Sequence, residues 1–395
     1  MGPHRRWISL RALLCRNALS RCSFIAVSAL ALAGCQDDPV QPDLAGPEYK
    51  KEFFASSVAR GINTQGQVVG WSGDNHFTAF LWTPRSGNGS QGAMVGLGTL
   101  GGLNSRALAI NTSGQVVGRS TTSGEASEHA FLWTPKGRNN GQIGSMVDLQ
   151  TLGGTNSSAT AINTQGQVVG QSYLSGNATY HPFLWTPTDT PNGTTGTMVD
   201  LGSLDGTDSY AAGINTQGQV VGSTISGRIF LFTPTRLNGS TGTTVEIGFG
   251  FAQAINTQGQ VVGFTGGGHA FLWTPTEGNG STGTMVDLGT LVGGNSAAWS
   301  INTQGQVVGE SSGGPGSNWH AFLWKPASIN TSSGTMVDLG TFGGTEADAY
   351  SINTQGQVVG YSTYASSGVT HAFLWTPTEG NGTTGTMVDI GTLRK

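Results

Sequence analysis

From Val58 to the C-terminus, apolar residues fall in short β-branched and aromatic runs bounded by Gly, Asn, Thr or Pro. That is the pattern of strands and turns. The runs recur in a fixed order. A strand of the type "ATAIN" is followed by "QVVGxS", then "HAFLWTP", then "MVDLGTL". Between the first two strands stands "NTQG" (once "NTSG"). Its Asn can bond its own backbone, and its Gly accepts the positive φ that closes a tight hairpin. The phrase begins at Ile62, Ile110, Ile162, Ile214, Ile255, Ile301 and Ile352, at intervals of 41 to 52 residues.

Seven four-stranded units of this length predict an all-β chain folded as a seven-bladed β-propeller over 58–395, with a β-solenoid as the alternative. The chain enters on "VARGIN" (Val58 to Asn63) without a preceding "MVDLGTL" and ends on Met387 to Leu393. If "MVDLGTL" is the innermost strand, the last one completes the first blade and latches the ring.

The N-terminal 34 residues read as an export signal. Arg5, Arg6, Arg11, Arg16 and Arg21 precede the apolar run Ser23 to Gly34, which is too short to span a bilayer. Leu32-Ala33-Gly34-Cys35 resembles the lipobox of bacterial lipoproteins. The resemblance implies cleavage before Cys35 and a diacylglyceryl group on its sulfur, followed by a Pro- and Asp-rich tether within 35–57. Gln36 favours an outer-membrane or surface destination. Cys15 and Cys22 leave with the signal, so no disulfide and no Cys-based metal site or nucleophile remains. Removing five arginines from 18 basic residues leaves 13 against 22 acidic ones, a net charge of −9, which argues against nucleic acid as a partner.

Together "INTQGQVVG", "HAFLWTP" and "MVDLGTLGG" resemble the HAF-type extracellular repeat of bacteria over Val58 to Leu393. That family implies an exported repeat protein without a defined activity. The fourth copy departs furthest, with "RIFLFTP" (Arg228 to Pro234) and no "LGTLGG" ending.

Recurrent His129, His181, His269, His320 and His371 are expected to satisfy loop carbonyls, because one per blade cannot converge on zinc. Asp148, Asp200, Asp287, Asp338 and Asp389 are expected to cap turns or bond a neighbouring blade. On an innermost strand they would instead ring the channel and could hold Ca²⁺. No cofactor is otherwise implied. No G-x-S-x-G, H-E-x-x-H or phosphate loop occurs, so no catalytic residue is assigned. The non-repeating acids, among them Glu310 and Asp348, leave a polysaccharide-acting enzyme as the competing reading.

Variation points elsewhere. Alternate loops of a blade share a face, so "NTQG" lies with the near-constant "TPTEGNGSTGT" connection. The opposite face carries the segments that differ in every copy. Trp71, Arg119, Tyr173, Tyr180, Phe264, Trp299, Trp319, Tyr361 and Tyr364 lie there as a candidate binding surface, since Tyr and Trp bring contact area at low entropic cost. The expected role is a lipid-anchored binding module for a glycan or an envelope or extracellular protein, with a purely structural envelope role as a further alternative.

Overall fold

The computed structural model describes residues 56–137, 143–312 and 318–393. The signal segment, Cys35 and the tether as far as residue 55 lie outside the described residues. The rest is a seven-bladed β-propeller. Seven antiparallel sheets each contain four consecutive strands paired in chain order, and the first blade begins at Ser56.

The first strand of each blade is the innermost. First strands of neighbouring blades adjoin all the way round, including Ser56–Ile62 against Gly343–Ile352. This corrects the expectation that "MVDLGTL" lies inside. Strands crowd towards the axis, and the first strand carries the run of small side chains that crowding demands, such as Ala107 and Ala109 or Ala159 and Ala161. The "MVD" strands lie on the wide perimeter, half-buried or exposed. Ring closure by a borrowed strand is corrected with it: blade 1 takes all four strands from Ser56–Gly96 and blade 7 from Gly343–Asp389.

Each apolar cluster straddles two blades. Val117, Ala130 and Leu132 of blade 2 pack on Ala159, Ile162, Val168, Phe183 and Trp185 of blade 3. The Gly of every "VVG" is required by close approach. A Cβ on Gly170 would sit on the carbonyl oxygen of Ser158, and one on Gly70 on that of Val58.

The repeated turn is a closure device as well as a hairpin. The Oδ1 of Asn163 accepts the backbone N–H groups of Gln165 and Gln167, both at 3.0 Å. Its Nδ2 donates to the carbonyl of Asn215 in the next blade at 3.2 Å. The same bond runs from Asn63 to Asn111, Asn111 to Asn163, Asn215 to Asn256, Asn256 to Asn302, Asn302 to Asn353, and Asn353 back to Asn63. Seven buried asparagines thus tie seven blades into a closed hydrogen-bonded ring. The second Gln of the phrase adds a belt. Gln167 Nε2 donates to the carbonyl of Asn238 in the next blade at 3.0 Å, and Gln357 to that of Asn88 at 3.0 Å. The acceptors are loop asparagines in the left-handed region (φ 62° at Asn192, 54° at Asn238), which Asn tolerates best after Gly.

Candidate functional site

When the seven copies are superposed on their pairing register, the inner strand is nearly constant. Ala59, Ala107, Ala159, Ala211, Ala252, Ala298 and Ala349 are identical, as are the isoleucines that end the strand and the "VVG" beside it. Three positions woven between these constants never repeat. Before the alanine stand Val58, Arg106, Ser158, Tyr210, Phe251, Ala297 and Asp348. After it, where the register shifts in a bulge, stand Arg60, Leu108, Thr160, Ala212, Gln253, Trp299 and Tyr350. Paired with the first set on the second strand are Trp71, Arg119, Gln171, Ser223, Phe264, Glu310 and Tyr361. A bulge re-aims a side chain out of the alternation, which is why such sites recur beside functional centres.

These positions build an arc round the inner strands. Phe251 and Phe264 lie 5.3 Å apart, Phe264 and Trp299 6.0 Å, Trp299 and Tyr350 6.0 Å, and Tyr350 and Tyr361 6.0 Å. Arg60 lies over the Tyr350 ring at 3.9 Å and reaches Trp71 at 5.9 Å. Arg106 lies over Phe77 at 4.6 Å and near Trp71 at 5.7 Å. The arc therefore runs from blade 5 through 6, 7 and 1 to blade 2. Trp71, Tyr350 and Tyr361 are buried. Arg60, Arg106, Phe251, Phe264 and Trp299 remain half-exposed. Blades 3 and 4 offer small or polar groups instead, among them Ser158, Thr160, Ala212 and Ser223.

Four of the residues expected on the binding face, Trp71, Phe264, Trp299 and Tyr361, thus belong to one arc. Two of the four, Trp71 and Tyr361, are buried wall and not loop decoration. Arg119 is buried and ion-paired with Glu128 at 3.0 Å. Tyr173 and Tyr180 pair across their own hairpin at 5.5 Å, and burial pushes the Tyr180 hydroxyl far above its usual range. Trp319 opens the third strand of blade 6, half-buried. Tyr364 stacks on Phe342 at 5.0 Å and donates to Asp389 at 2.9 Å; burial first, then that carboxylate, push its hydroxyl up to about 12. Sequence reasoning missed Arg60, Arg106 and Phe251, although aligning the copies on the constant Ala and Gly would have exposed them.

The recurrent histidines and aspartates form one device on the perimeter. Nδ1 of His129, His181, His269, His320 and His371 meets the carboxylate of Asp148, Asp200, Asp287, Asp338 and Asp389 respectively, at 2.6 to 2.9 Å. The histidine partner is therefore a carboxylate and not a loop carbonyl. Each aspartate also accepts the N–H two residues on, as Asp287 does from Gly289 at 2.7 Å. Where the pair changes it changes as a unit, to Arg228 with Glu246 at 2.7 Å in blade 4 and to Thr78 opposite Gly96 in blade 1. The aspartates do not surround the channel, and among the described residues no group of three His, Cys, Asp or Glu could hold a metal ion.

Burial alone would raise the Asp287 and Asp389 carboxyls, but hydrogen bonds from His269 and Gly289, and from His371 and Gly391, outweigh it and hold both below the usual value of 3.8. A carboxyl depressed in the folded state stabilises above its unfolded value, and that contribution is lost as pH falls through the folded one. Thermal melts should therefore show an acid limb below about pH 4. The Asp287→Asn and Asp389→Asn double variant should make it shallower, each exposed pair contributing less than about 1 kcal/mol. Asp205, which burial alone would raise but hydrogen bonds from Ser226 and Thr207 hold well below its usual value, keeps the remainder.

Seven four-stranded blades closed by a repeated turn, with a wall of unrepeated residues at the inner strands, define a repeat-built β-propeller. The chain is similar to a family described as a protein of unknown function (DUF3466), whose model matches residues 102–229, from the inner strand of blade 2 into the third strand of blade 4. No curated protein matches the chain.

Proposed function

We propose that the chain is a non-enzymatic binding module of the bacterial envelope, anchored through acylated Cys35, that takes its ligand at the inner-strand arc. One observation carries this reading: three positions differ in all seven copies while the residues between them are constant. A repeated scaffold offers seven equivalent places, so a single ligand needs a unique constellation, and the unrepeated residues supply one. The resemblance to exported HAF-type repeats and the lipobox-like segment support the location.

The anchor and the arc are close in the chain. The inner strand ends at the constant turn, so its start at Ser56 lies at the opposite end, two residues before Val58 and four before Arg60. Twenty residues separate Cys35 from Ser56 in the sequence, and the proposed anchor makes an envelope-borne ligand the one to seek.

Replacing Cys35→Ser should move the protein from the detergent to the aqueous phase on fractionation of cells. The soluble variant should still bind isolated envelope polysaccharide or envelope protein. Unchanged partitioning would contradict the anchor, and absence of binding to both envelope fractions would contradict the module.

A further inference from the structure

Of the buried side-chain polar atoms without a hydrogen-bond partner among the described residues, which include Asn330 Oδ1 and Asn381 Oδ1 of the belt, two lie together at the junction of blades 6 and 7 and belong to the arc. Asp348 is 1% exposed. Its Oδ2 accepts the Tyr350 hydroxyl at 3.1 Å, while its Oδ1 has no hydrogen-bond partner among the described residues. The indole Nε1 of Trp299 is likewise buried without an acceptor. Trp299 and Tyr350 pack at 6.0 Å, so the orphan acceptor and the orphan donor share one stretch of wall. Leaving each unmet is unfavourable, a cost that a ligand supplying both bonds would remove.

The pair of orphans restricts the chemistry of that ligand. An ammonium group donates to Asp348 but cannot accept from Trp299. A carboxylate or phosphate accepts from Trp299 but repels Asp348. A hydroxyl does both. Sugars carry several hydroxyls round a ring with an apolar face, and Trp299 and Phe264 offer half-exposed aromatic surface for such a face.

We infer that this junction binds a neutral saccharide. One sugar ring lies against Trp299 and Phe264, and its hydroxyls meet Trp299 Nε1 and Asp348 Oδ1. The half-exposed Arg60, lying over Tyr350 at 3.9 Å, is the movable cover, held by a cation–π contact. The assignment rests on the binding reading above and narrows it to one ligand class.

The test uses the full-length chain in detergent on an array of neutral hexose and N-acetylhexosamine oligosaccharides, with zwitterionic dipeptides as a second array. A restricted set of neutral oligosaccharides should bind. Trp299→Phe keeps the ring but removes the donor, and Asp348→Asn keeps the shape but replaces the carboxylate. Each should weaken binding about tenfold or more without lowering the melting temperature by more than a few degrees. Full affinity in both variants overturns the assignment. Binding of dipeptides but no saccharide overturns it while leaving the binding module intact, and so does binding of envelope protein alone. Failure on both arrays and on envelope fractions overturns both readings.

Discussion

Asn163→Ala is expected to lower the melting temperature by roughly 6 °C, and Gln165→Ala, two residues away, by almost nothing. Asn163 is 4% exposed, and its side chain makes five contacts that alanine cannot replace. Oδ1 accepts two turn N–H groups; Nδ2 donates to Gln167 Oε1 at 2.9 Å, to the Asn215 carbonyl at 3.2 Å and to Asn238 Oδ1 at 3.2 Å. Losing them strands buried donors and acceptors at a cost of about 3 to 5 kcal/mol in total. At about 2.1 cal/mol/K of unfolding entropy per residue, each kcal/mol shifts the midpoint of a domain of this size by about 1.5 °C. The Gln165 side chain bonds only Thr164 beside it, at 3.2 Å, so its removal leaves the ring untouched. Calorimetry of the two variants decides the matter. Equal effects would mean that the constant turn acts only as a hairpin.

Truncation after Asp389 should open one seam and spare the others. Although no strand is exchanged, the tail past the last strand reproduces, between blades 7 and 1, the connection that every other junction obtains from continuous chain. Ser157 Oγ accepts from Ala130 N–H at 2.9 Å and donates to the Gln150 carbonyl at 2.6 Å, joining blades 2 and 3. Ser57 Oγ does the same to Ala372 at 2.9 Å and Gly391 at 2.8 Å. Ile390 and Leu393 pack on a cluster shared by Ala59, Ile62 and Phe80 with Val359 and Leu374, and Leu393 N–H donates to Ser72 Oγ at 3.2 Å. Ile390 N–H also donates to the Ala372 carbonyl at 3.1 Å, so the tail's two half-buried side chains and three hydrogen bonds amount to about 3 to 6 kcal/mol. Hydrogen exchange should quicken in the inner strands of blades 1 and 7 and stay slow in blades 3 to 5. Uniform quickening would show that the ring unfolds as one unit without a weak seam.

The architecture was legible because each blade carries its own turn, glycines and aromatic run, so local chemistry repeated seven times implies seven equivalent sheets. The face shared by "NTQG" and the third connection was legible for the same reason, since strand alternation alone decides it. Strand phase was not. A periodic sequence can be cut at any point of its period, and only the crowding of Ala59 and its equivalents at the axis fixes which strand is inner. The asparagine ring was half legible: the self-bonding turn shows in "NTQG", whereas the bond from Asn353 to Asn63 joins residues 290 apart and depends on closure. The pairing of His371 with Asp389 was hidden because the two recur in separate motifs and meet only through cross-strand register. The site was misplaced outward, onto hairpins such as that of Tyr173 and Tyr180, because bulky aromatics on polar segments look like loop decoration. The bulge that turns Trp299 and Tyr350 inward leaves no mark in the residues that make it.

The central claim is that the constant frame holds the ring while the unrepeated wall binds. It is tested most directly by comparing two sets of alanine variants for envelope-ligand affinity and melting temperature side by side. Phe251, Phe264 and Trp299 represent the arc; His269, His320 and His371 represent the perimeter. Affinity should fall for the first set and hold for the second, with all six variants melting within a few degrees of the parent. Loss of affinity confined to the perimeter set would place the site on the outer strands and contradict the assignment of the arc.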